Sequence, residues 1–173
     1  MEISASSANL TSRREGQSLF IGLAGEESER KFKFRHFHIS INQEQAPGLI
    51  VHLPRSFKGA LRISSIAGDV EVSDLRLSEG HIKTTAGDIK VGCLKGKEIS
   101  LDSVSGDLSA GSCLQAPDIR LYSTSGDIDV KGILGNVKAN TISGDIRLAS
   151  VPENAGSKID ARSTSGEVTI TGN

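Results

Sequence analysis

The chain has 173 residues, with 20 Lys and Arg against 21 Asp and Glu, so its formal net charge is −1. That length is enough for one domain with a sizeable core, and the balanced charge gives no electrostatic reason to expect nucleic acid or an anionic membrane as a partner. Glycine is frequent, with 19 residues, which favours a fold with many turns.

Neither a membrane span nor a leader is visible in the sequence. No apolar run reaches the ~18 residues of a membrane-spanning helix. The residues after Met1 show neither the basic nor the apolar segment of a signal peptide. We therefore expect no direct membrane insertion, and a location that is either cytoplasmic or, for an excised domain, extracytoplasmic.

The first sixty residues differ from the rest of the chain in their side chains. All 5 phenylalanines precede residue 60, and Tyr122 is the only aromatic residue after them. Terminal units of solenoids usually depart from the repeat and cap it, so we predict that residues 1–60 form an irregular, Phe-rich cap with entry strands. The predicted strands are 18–23, 31–41 and 49–54, and the predicted loops are 25–30 and 43–48.

From residue 61 onward one turn motif recurs, as in STSGDIDV (123–130) and NTISGDIRL (140–148). Six glycines mark the motif at spacings of 19, 19, 20, 18 and 22 residues, and an acidic residue follows each glycine. A fixed period of this length is typical of a solenoid. The six pairs are Gly68 and Asp69, Gly87 and Asp88, Gly106 and Asp107, Gly126 and Asp127, Gly144 and Asp145, and Gly166 and Glu167.

Each repeat carries two short segments in which apolar and polar residues alternate. The second and fourth positions after each glycine are apolar, as Ile128 and Val130 are after Gly126. The fifth and seventh positions before it are mostly apolar, as Leu121 and Ile119 are. Alternation with a period of two is typical of a strand with one buried face. A further apolar row follows seven or eight residues after the glycine and consists of Leu75, Leu94, Leu114, Leu134 and Val151.

The repeat length excludes helices between the strands. About 19 residues already hold two strands and two turns, whereas a helical crossover needs roughly 12 or more of its own. Equivalent strands of successive repeats must then pair in parallel. We therefore predict an all-β, single-stranded parallel β-solenoid (a β-helix), with six regular coils over 61–173 that are continuous with the cap. Because parallel crossovers are overwhelmingly right-handed, we expect a right-handed coil.

The recurring Gly–acid pair is interpreted as a structural turn ladder. Glycine permits positive φ at a sharp corner, and the carboxylate beside it can accept backbone N–H groups that the bend leaves free. Divalent cations along the row of carboxylates are the alternative, but the sequence lacks the GGxGxD nonapeptide pattern of calcium rolls. We predict no metal, no organic cofactor and no catalytic residues.

Three other sets of residues have a structural and a functional interpretation. A Ser or Thr stands three residues before each glycine, which favours a buried or corner-capping hydroxyl row over the outward Thr-x-Thr array of an ice-binding face. His36 and His38 alternate on one predicted strand and His52 lies on the next, but a zinc site needs more than these ligands. Cys93 and Cys113 are one coil apart, and because parallel neighbours rarely offer the Cβ geometry of a disulfide, we predict free thiols.

The reiterated T/S-x-S-G-D-I turn, followed by V-x-x-L, resembles the bacterial "putative adhesin" β-strand-repeat family, a domain of unknown function. The resemblance covers residues 61–173 well. Towards the N-terminus, SSANL (6–10) resembles a degenerate SGDI turn, and LIVHLPRSFKGALRI (49–63) resembles the family's entry into the first clear repeat. Members of this family are not known as enzymes, and some resemble membrane-associated or cell-envelope stress proteins.

The resemblance implies a non-catalytic structural or interaction module that presents a strand face to a protein or glycan partner, or to a component of the cell envelope. Nucleic acid is not an expected partner. Two alternatives stay open, a regulatory cell-envelope stress domain and a carbohydrate-active β-helix enzyme. The enzyme would need carboxylates clustered in a cleft, whereas the predicted carboxylates stand in single file on a convex corner.

The C-terminal end of the solenoid is the predicted self-association surface. Residues 168–171 follow the last corner, and an edge with unpaired backbone groups templates pairing with another chain. Glu167 is the only ionised side chain in residues 163–173, so charge protects this edge little. We expect either an end-to-end homodimer through residues 168–171 or a monomer in which the connection 151–158 folds across the end.

Overall fold

The computed structural model describes residues 3–5, 9–15, 18–24, 39–43, 46–51, 57–150 and 157–172, and it describes side chains from residue 57 onward except at positions 112 and 150. These ranges contain strands and turns, and within them no helix is long and apolar enough to cross a membrane. The strands are β1 (Ile3–Ala5), β2 (Asn9–Glu15), β3 (Ser18–Ala24), β4 (Ile39–Gln43), β5 (Ala46–Val51), β6 (Leu61–Ala67), β7 (Val70–Val72), β8 (Leu75–Arg76), β9 (Glu79–Ala86), β10 (Ile89–Lys95), β11 (Glu98–Ser105), β12 (Leu108–Ser125), β13 (Ile128–Ser143), β14 (Ile146–Ser150), β15 (Ile159–Ser165) and β16 (Val168–Gly172).

Two parallel ladders run along the solenoid, one on each side of the repeated corner. The first ladder contains the strands before the corners, in the order β6, β9, β11, β12, β13 and β15. The second contains the strands after the corners, in the order β7, β10, β12, β13, β14 and β16. The predicted all-β parallel solenoid with coils of about 19 residues is confirmed, and the structure contains about five such turns, against the six coils predicted. Its right-handedness stays a prediction.

The inward positions of both ladders form one aliphatic core, as the period-two alternation predicts. Because the strands pair in register, equivalent side chains stack along the solenoid. Ile128 lies opposite Leu108 on one side and Ile146 on the other, and all three are 0% exposed. The first ladder contributes residues such as Leu101 and Leu121 to the same core. Burial of this continuous core holds successive coils together.

The third apolar row needs one correction. Its predicted members in the first three coils are buried and stack in register. In the fourth coil, however, Ile133 takes the position opposite Leu114 and is 1% exposed, whereas the predicted Leu134 is only half-buried. The register between β12 and β13 shifts just before this point, so the side chain one residue earlier turns inward. The predicted member in the fifth coil, Val151, lies outside the described residues.

The N-terminal strands extend both ladders beyond the first coil. β2 and β3 pair antiparallel, and β3 continues the first ladder by pairing in parallel with β6. β1, β5 and β4 pair antiparallel in that order, and β4 continues the second ladder by pairing antiparallel with β7. The change from parallel to antiparallel pairing distinguishes this end from the coils. The division of the chain into 1–60 and 61–173 stays a prediction.

Some N-terminal predictions change and others lie outside the described residues. The loop predicted over 43–48 is too long, because β4 runs to Gln43 and β5 begins at Ala46. When SSANL (6–10) is compared with the SGDI turn, Asn9 stands at the acidic position; in the structure it lies within β2 opposite Ala24. Most of the predicted strand 31–41 lies outside the described residues. The three histidines weighed as zinc ligands also lie there, and they are His36, His38 and His52.

Candidate functional site

Six glycines build the repeated corner. All have positive φ, from 111° at Gly68 to 149° at Gly126, a region that residues with a Cβ rarely enter. Space is restricted as well, because a Cβ added to Gly106 would overlap the carbonyl group of Gly87 in the preceding coil. The same overlap recurs at the later corners. The corner therefore requires glycine both for its backbone conformation and for the close approach of successive coils.

The acidic residues after these glycines form a hydrogen-bonded row, here called the corner ladder. At each of its five steps, one carboxylate oxygen accepts the backbone N–H of the equivalent residue in the next coil, at 2.8 to 3.0 Å. We expected carboxylates to bind N–H groups within their own turn, whereas they join successive coils. The corner ladder consists of Asp69, Asp88, Asp107, Asp127, Asp145 and Glu167.

Basic side chains offset part of the charge repulsion along the corner ladder. Neighbouring carboxylates on paired strands lie about 4.8 Å apart and repel each other. Lys90 Nζ lies 3.3 Å from Asp88 Oδ2, and Arg147 reaches Asp127 at 3.6 Å and Asp145 at 2.6 Å. Among the described residues, no group of three or more His, Cys, Asp or Glu side chains could hold a metal ion. Hydrogen bonds between coils and surface ion pairs account for this row.

A row of hydroxyl groups lies on the inner side of the same corner. Thr141 Oγ1 donates to Gly126 O at 3.2 Å, and Ser163 Oγ donates to Gly144 O at 2.9 Å. In the part of the chain whose side chains are described, Ser103 Oγ is the one buried side-chain polar atom without a hydrogen-bond partner. The hydroxyls therefore cap the corner from inside and do not form an outward array. The row consists of Ser65, Thr84, Ser103, Ser123, Thr141 and Ser163, of which the first five are at most 6% exposed.

Cys93 and Cys113 form a disulfide, so the prediction of free thiols is wrong. The two cysteines lie in direct register on β10 and β12, with their Cα atoms 4.4 Å apart, within the range that a disulfide spans. The register between these strands shifts after Val91. From Cys93 onward, each residue of β10 therefore lies opposite the residue 20 positions later in the chain, whereas before the shift the separation is 19. The disulfide fastens two coils just after this register shift, where Asp74 Oδ1 also accepts the N–H of Cys93 at 2.7 Å.

The outward positions of the first ladder form a groove that our reading of the sequence missed. The groove crosses β9, β11, β12, β13 and β15 and has a volume of about 660 Å³. Its central row consists of Lys83, Asp102, Tyr122, Asn140 and Arg162, which lie in register along the solenoid. A second row, two residues further along the strands, consists of Val104, Thr124, Ile142 and Thr164. These nine residues are called the groove face.

The groove face combines exposed apolar surface with polar groups that have no partner among the described residues. Val104 is 43% exposed and Ile142 is 57% exposed, and half-buried Tyr122 lies on the strand between them. The side chains of Lys83, Tyr122 and Asn140 make no hydrogen bond or ion pair with any described residue. The signal that could have found this face is the pair of apolar residues at the outward position two before the glycine, Val104 and Ile142, beside the single tyrosine of the chain, Tyr122.

Comparison with known proteins gives a family and no closer relative. No curated protein and no solved structure is significantly similar to the chain. A family model matches residues 1–173, the whole of the sequence, and its description is Toastrack DUF4097. The repeated glycine corners and the parallel solenoid thus belong to a member of the Toastrack DUF4097 family, a domain of unknown function.

Proposed function

We propose that this domain is a non-catalytic interaction module of the adhesin type, in which the groove face binds a partner. One observation carries the proposal: on the outward side of the first ladder, exposed apolar side chains and polar side chains without a partner among the described residues lie together in one groove. The six outward residues, four before each glycine, are all of different types, namely Ser64, Lys83, Asp102, Tyr122, Asn140 and Arg162. Stacked coils hold this varied row rigidly in register, which is what a specific binding surface requires.

The distribution of carboxylates supports a binding role rather than glycoside hydrolysis. Hydrolysis of glycosides uses a pair of carboxyl groups on either side of the scissile bond. Asp102 is the one acidic side chain among the described residues that line the groove. The carboxylates of the corner ladder stand outside the groove, and all but the last accept a backbone N–H from the next coil.

The disulfide supports a cell-envelope or extracellular location for this interaction. Disulfides persist in oxidising compartments and are rare where thiols are kept reduced. The Cys93–Cys113 disulfide therefore favours the extracytoplasmic side of the two locations that the sequence left open. A regulatory cell-envelope stress domain, the alternative function, would share this location, and its groove would bind a regulatory protein.

Site-specific photo-crosslinking in cells that naturally make the protein tests the proposed function. A photoreactive amino acid is placed at Asn140 in the groove, or at Asp129, which lies on the outward side of the second ladder on the same strand. We expect covalent adducts from position 140 and none from position 129. Equal adducts from both positions, or none from either, would overturn the assignment of the groove as the interaction face.

We also propose that the last coil pairs with a second copy of the chain, end to end, through residues 168–171. Val168 is 38% exposed and Ile170 is 48% exposed, although the equivalent residues of the preceding coil, Ile146 and Leu148, are 0% and 2% exposed. Among the described strands, β16 pairs with β14 alone. Stacking a second copy would continue the ladder and bury both side chains. Most of the alternative cover, residues 151–158, lies outside the described residues.

Sedimentation velocity over a range of concentrations tests the end-to-end homodimer. Ile170→Lys places a charge on the inward side of the edge strand, whereas Thr169→Lys places the same charge on its outward side. We expect a dimer for the wild type and the Thr169→Lys control, and a monomer for Ile170→Lys. A wild-type protein that stays monomeric at the highest concentration rules the dimer out.

A further inference from the structure

We propose that the groove face binds a linear, uncharged oligosaccharide, with Tyr122 as the surface on which a sugar ring stacks. The inference rests on the interaction role proposed for the same face and names its ligand. Tyr122 occupies the middle of the central row, with two further coils on either side. It is the single tyrosine of the chain, which has no tryptophan, so the groove holds the one aromatic side chain of the regular coils.

The surroundings of Tyr122 match the two kinds of surface on a pyranose ring. One face of such a ring presents C–H groups that pack on aromatic and aliphatic surfaces, and its hydroxyls project around the edge. Val104 and Ile142 stand on the strands on either side of Tyr122 and are both exposed. Together these three side chains provide an apolar centre, which the polar members of the central row surround.

The polar groups of the groove face are of types that form hydrogen bonds with hydroxyl groups. A sugar hydroxyl both donates and accepts hydrogen bonds. The Tyr122 hydroxyl and the Asn140 amide also do both, and the Lys83 ammonium donates; none of these three groups is used within the described structure. Asp102 adds an acceptor, because Ser100 Oγ donates to its Oδ2 at 2.9 Å and Oδ1 has no such contact. A ligand rich in hydroxyls would satisfy all four groups.

The charge of the groove face favours an uncharged ligand. Lys83 and Arg162 lie at opposite ends of the central row, with Asp102 between them. Arg162 is itself paired at 3.0 Å with Asp160, which lies two residues earlier on β15 and outside the groove face. Counted with Asp160, the two positive and two negative groups sum to zero. Asp102 would repel a polyanion and Lys83 would repel a polycation. Because these charges sum to zero, no net field would attract either kind of ligand to the groove.

The size and direction of the groove favour a chain of linked rings. A volume of about 660 Å³ lies within the range of sites for small ligands. The central row crosses five strands spaced about 4.8 Å apart, so it runs for roughly 19 Å along the solenoid axis. A protein partner would usually bury over 1,200 Å² around contiguous anchor residues, whereas the exposed aliphatic side chains of the groove face are two and lie on different strands.

Titration of the whole protein with defined hexasaccharides tests the inference. Cellohexaose and chitohexaose serve as uncharged probes and a heparin hexasaccharide as the anionic probe, with affinity measured by calorimetry. Because Tyr122 is the only tyrosine and tryptophan is absent, the tyrosine fluorescence of the wild type reports on the groove alone. We expect at least one uncharged probe to bind and to change this fluorescence.

Matched variants assign the binding to the groove. Tyr122→Ala should weaken binding by about three- to tenfold through loss of the stacking surface, while Tyr122→Phe should keep most of the affinity. Asn140→Ala should also weaken binding, and Asp129→Asn, on the second ladder, should leave it unchanged. All three replaced positions are at least partly exposed, and thermal unfolding confirms that each of the four variants is folded.

Two results would overturn the inference: no uncharged probe binds, whether or not the heparin hexasaccharide does, or Tyr122→Ala binds as tightly as the wild type. The crosslinking experiment separates this failure from failure of the proposed function. Protein adducts from position 140 without saccharide binding would leave the groove as an interaction face and remove the oligosaccharide as its ligand. Absence of both adducts and saccharide binding would refute both proposals.

Discussion

Replacing Gly106 by alanine tests the reason that every corner contains glycine. The φ of Gly106 is 141°, and forcing a residue with a side chain into such a conformation costs about 1–3 kcal/mol. The added Cβ would also overlap the carbonyl group of Gly87. Moving either coil would strain hydrogen bonds on both sides, where Gly87 N–H donates to Ser105 O at 2.9 Å and Gly106 N–H donates to Ser125 O at 3.0 Å. We therefore expect the free energy of unfolding to fall by at least about 3 kcal/mol.

Gly111→Ala is the matched control for this substitution. Gly111 lies five residues later, is exposed, and has no atom within 4 Å of an added Cβ. Alanine there restricts the unfolded chain and should stabilise the protein by up to about 1 kcal/mol. Urea and thermal unfolding followed by far-UV circular dichroism measure both variants, and about 3 kcal/mol corresponds to a midpoint roughly 6–12 °C lower for a chain of this size. Equal midpoints for the two variants would refute the argument.

Three further predictions concern the core, the disulfide and the corner ladder. Ile128→Asp should lower the free energy of unfolding by more than about 3 kcal/mol, because Ile128 is fully buried and the new charge has no partner. Asp129→Lys should change it by less than about 1 kcal/mol, and equal losses for the two variants would contradict the predicted alternation of buried and exposed residues. Cys113→Ser should lower the free energy of unfolding by about 3 kcal/mol, because the disulfide closes a loop of roughly 20 residues in the unfolded chain. A thiol assay that finds two reactive cysteines in the native protein would disprove the disulfide. The midpoint of thermal unfolding should be the same in millimolar calcium as in a chelator, because the carboxylates of the corner ladder already accept backbone N–H groups. A midpoint several degrees higher in calcium would reveal a cation site.

The sequence was sufficient to predict the coil because stacking imposes its period on the residues. A coil can stack on its neighbour only if its corner and its inward side chains recur at equivalent positions. Ile128 and Val130 are both 0% exposed, as their alternation predicts, and Gly126 has a positive φ, as a corner requires. Because every coil has the same geometry, the same residue types recur at equivalent positions of each repeat and can be recognised in the sequence.

The pairing register in the second half of each coil, around Cys93 and Cys113, could not be predicted from spacing. Coils differ there by one residue in length, and the register of neighbouring strands shifts to absorb the difference. That shift places Cys93 opposite Cys113 and turns Ile133 inward in place of Leu134. These two contacts depend on which of the paired strands contains the extra residue. The pattern of apolar residues in the sequence does not show which strand this is.

The corner ladder and the groove face show why the most regular motif of this chain is a poor guide to its function. Positions that must stack are constrained by their neighbours in both adjacent coils, so Asp107, whose N–H and carboxylate are both used by neighbouring coils, is explained by the fold. The outward row carries no such constraint, because its side chains meet solvent. Variation there costs the fold little, and a row such as Asp102, Tyr122 and Asn140 can therefore take the residues that a ligand requires. In a solenoid, a binding site is thus sought among the outward columns, which the fold leaves free to vary.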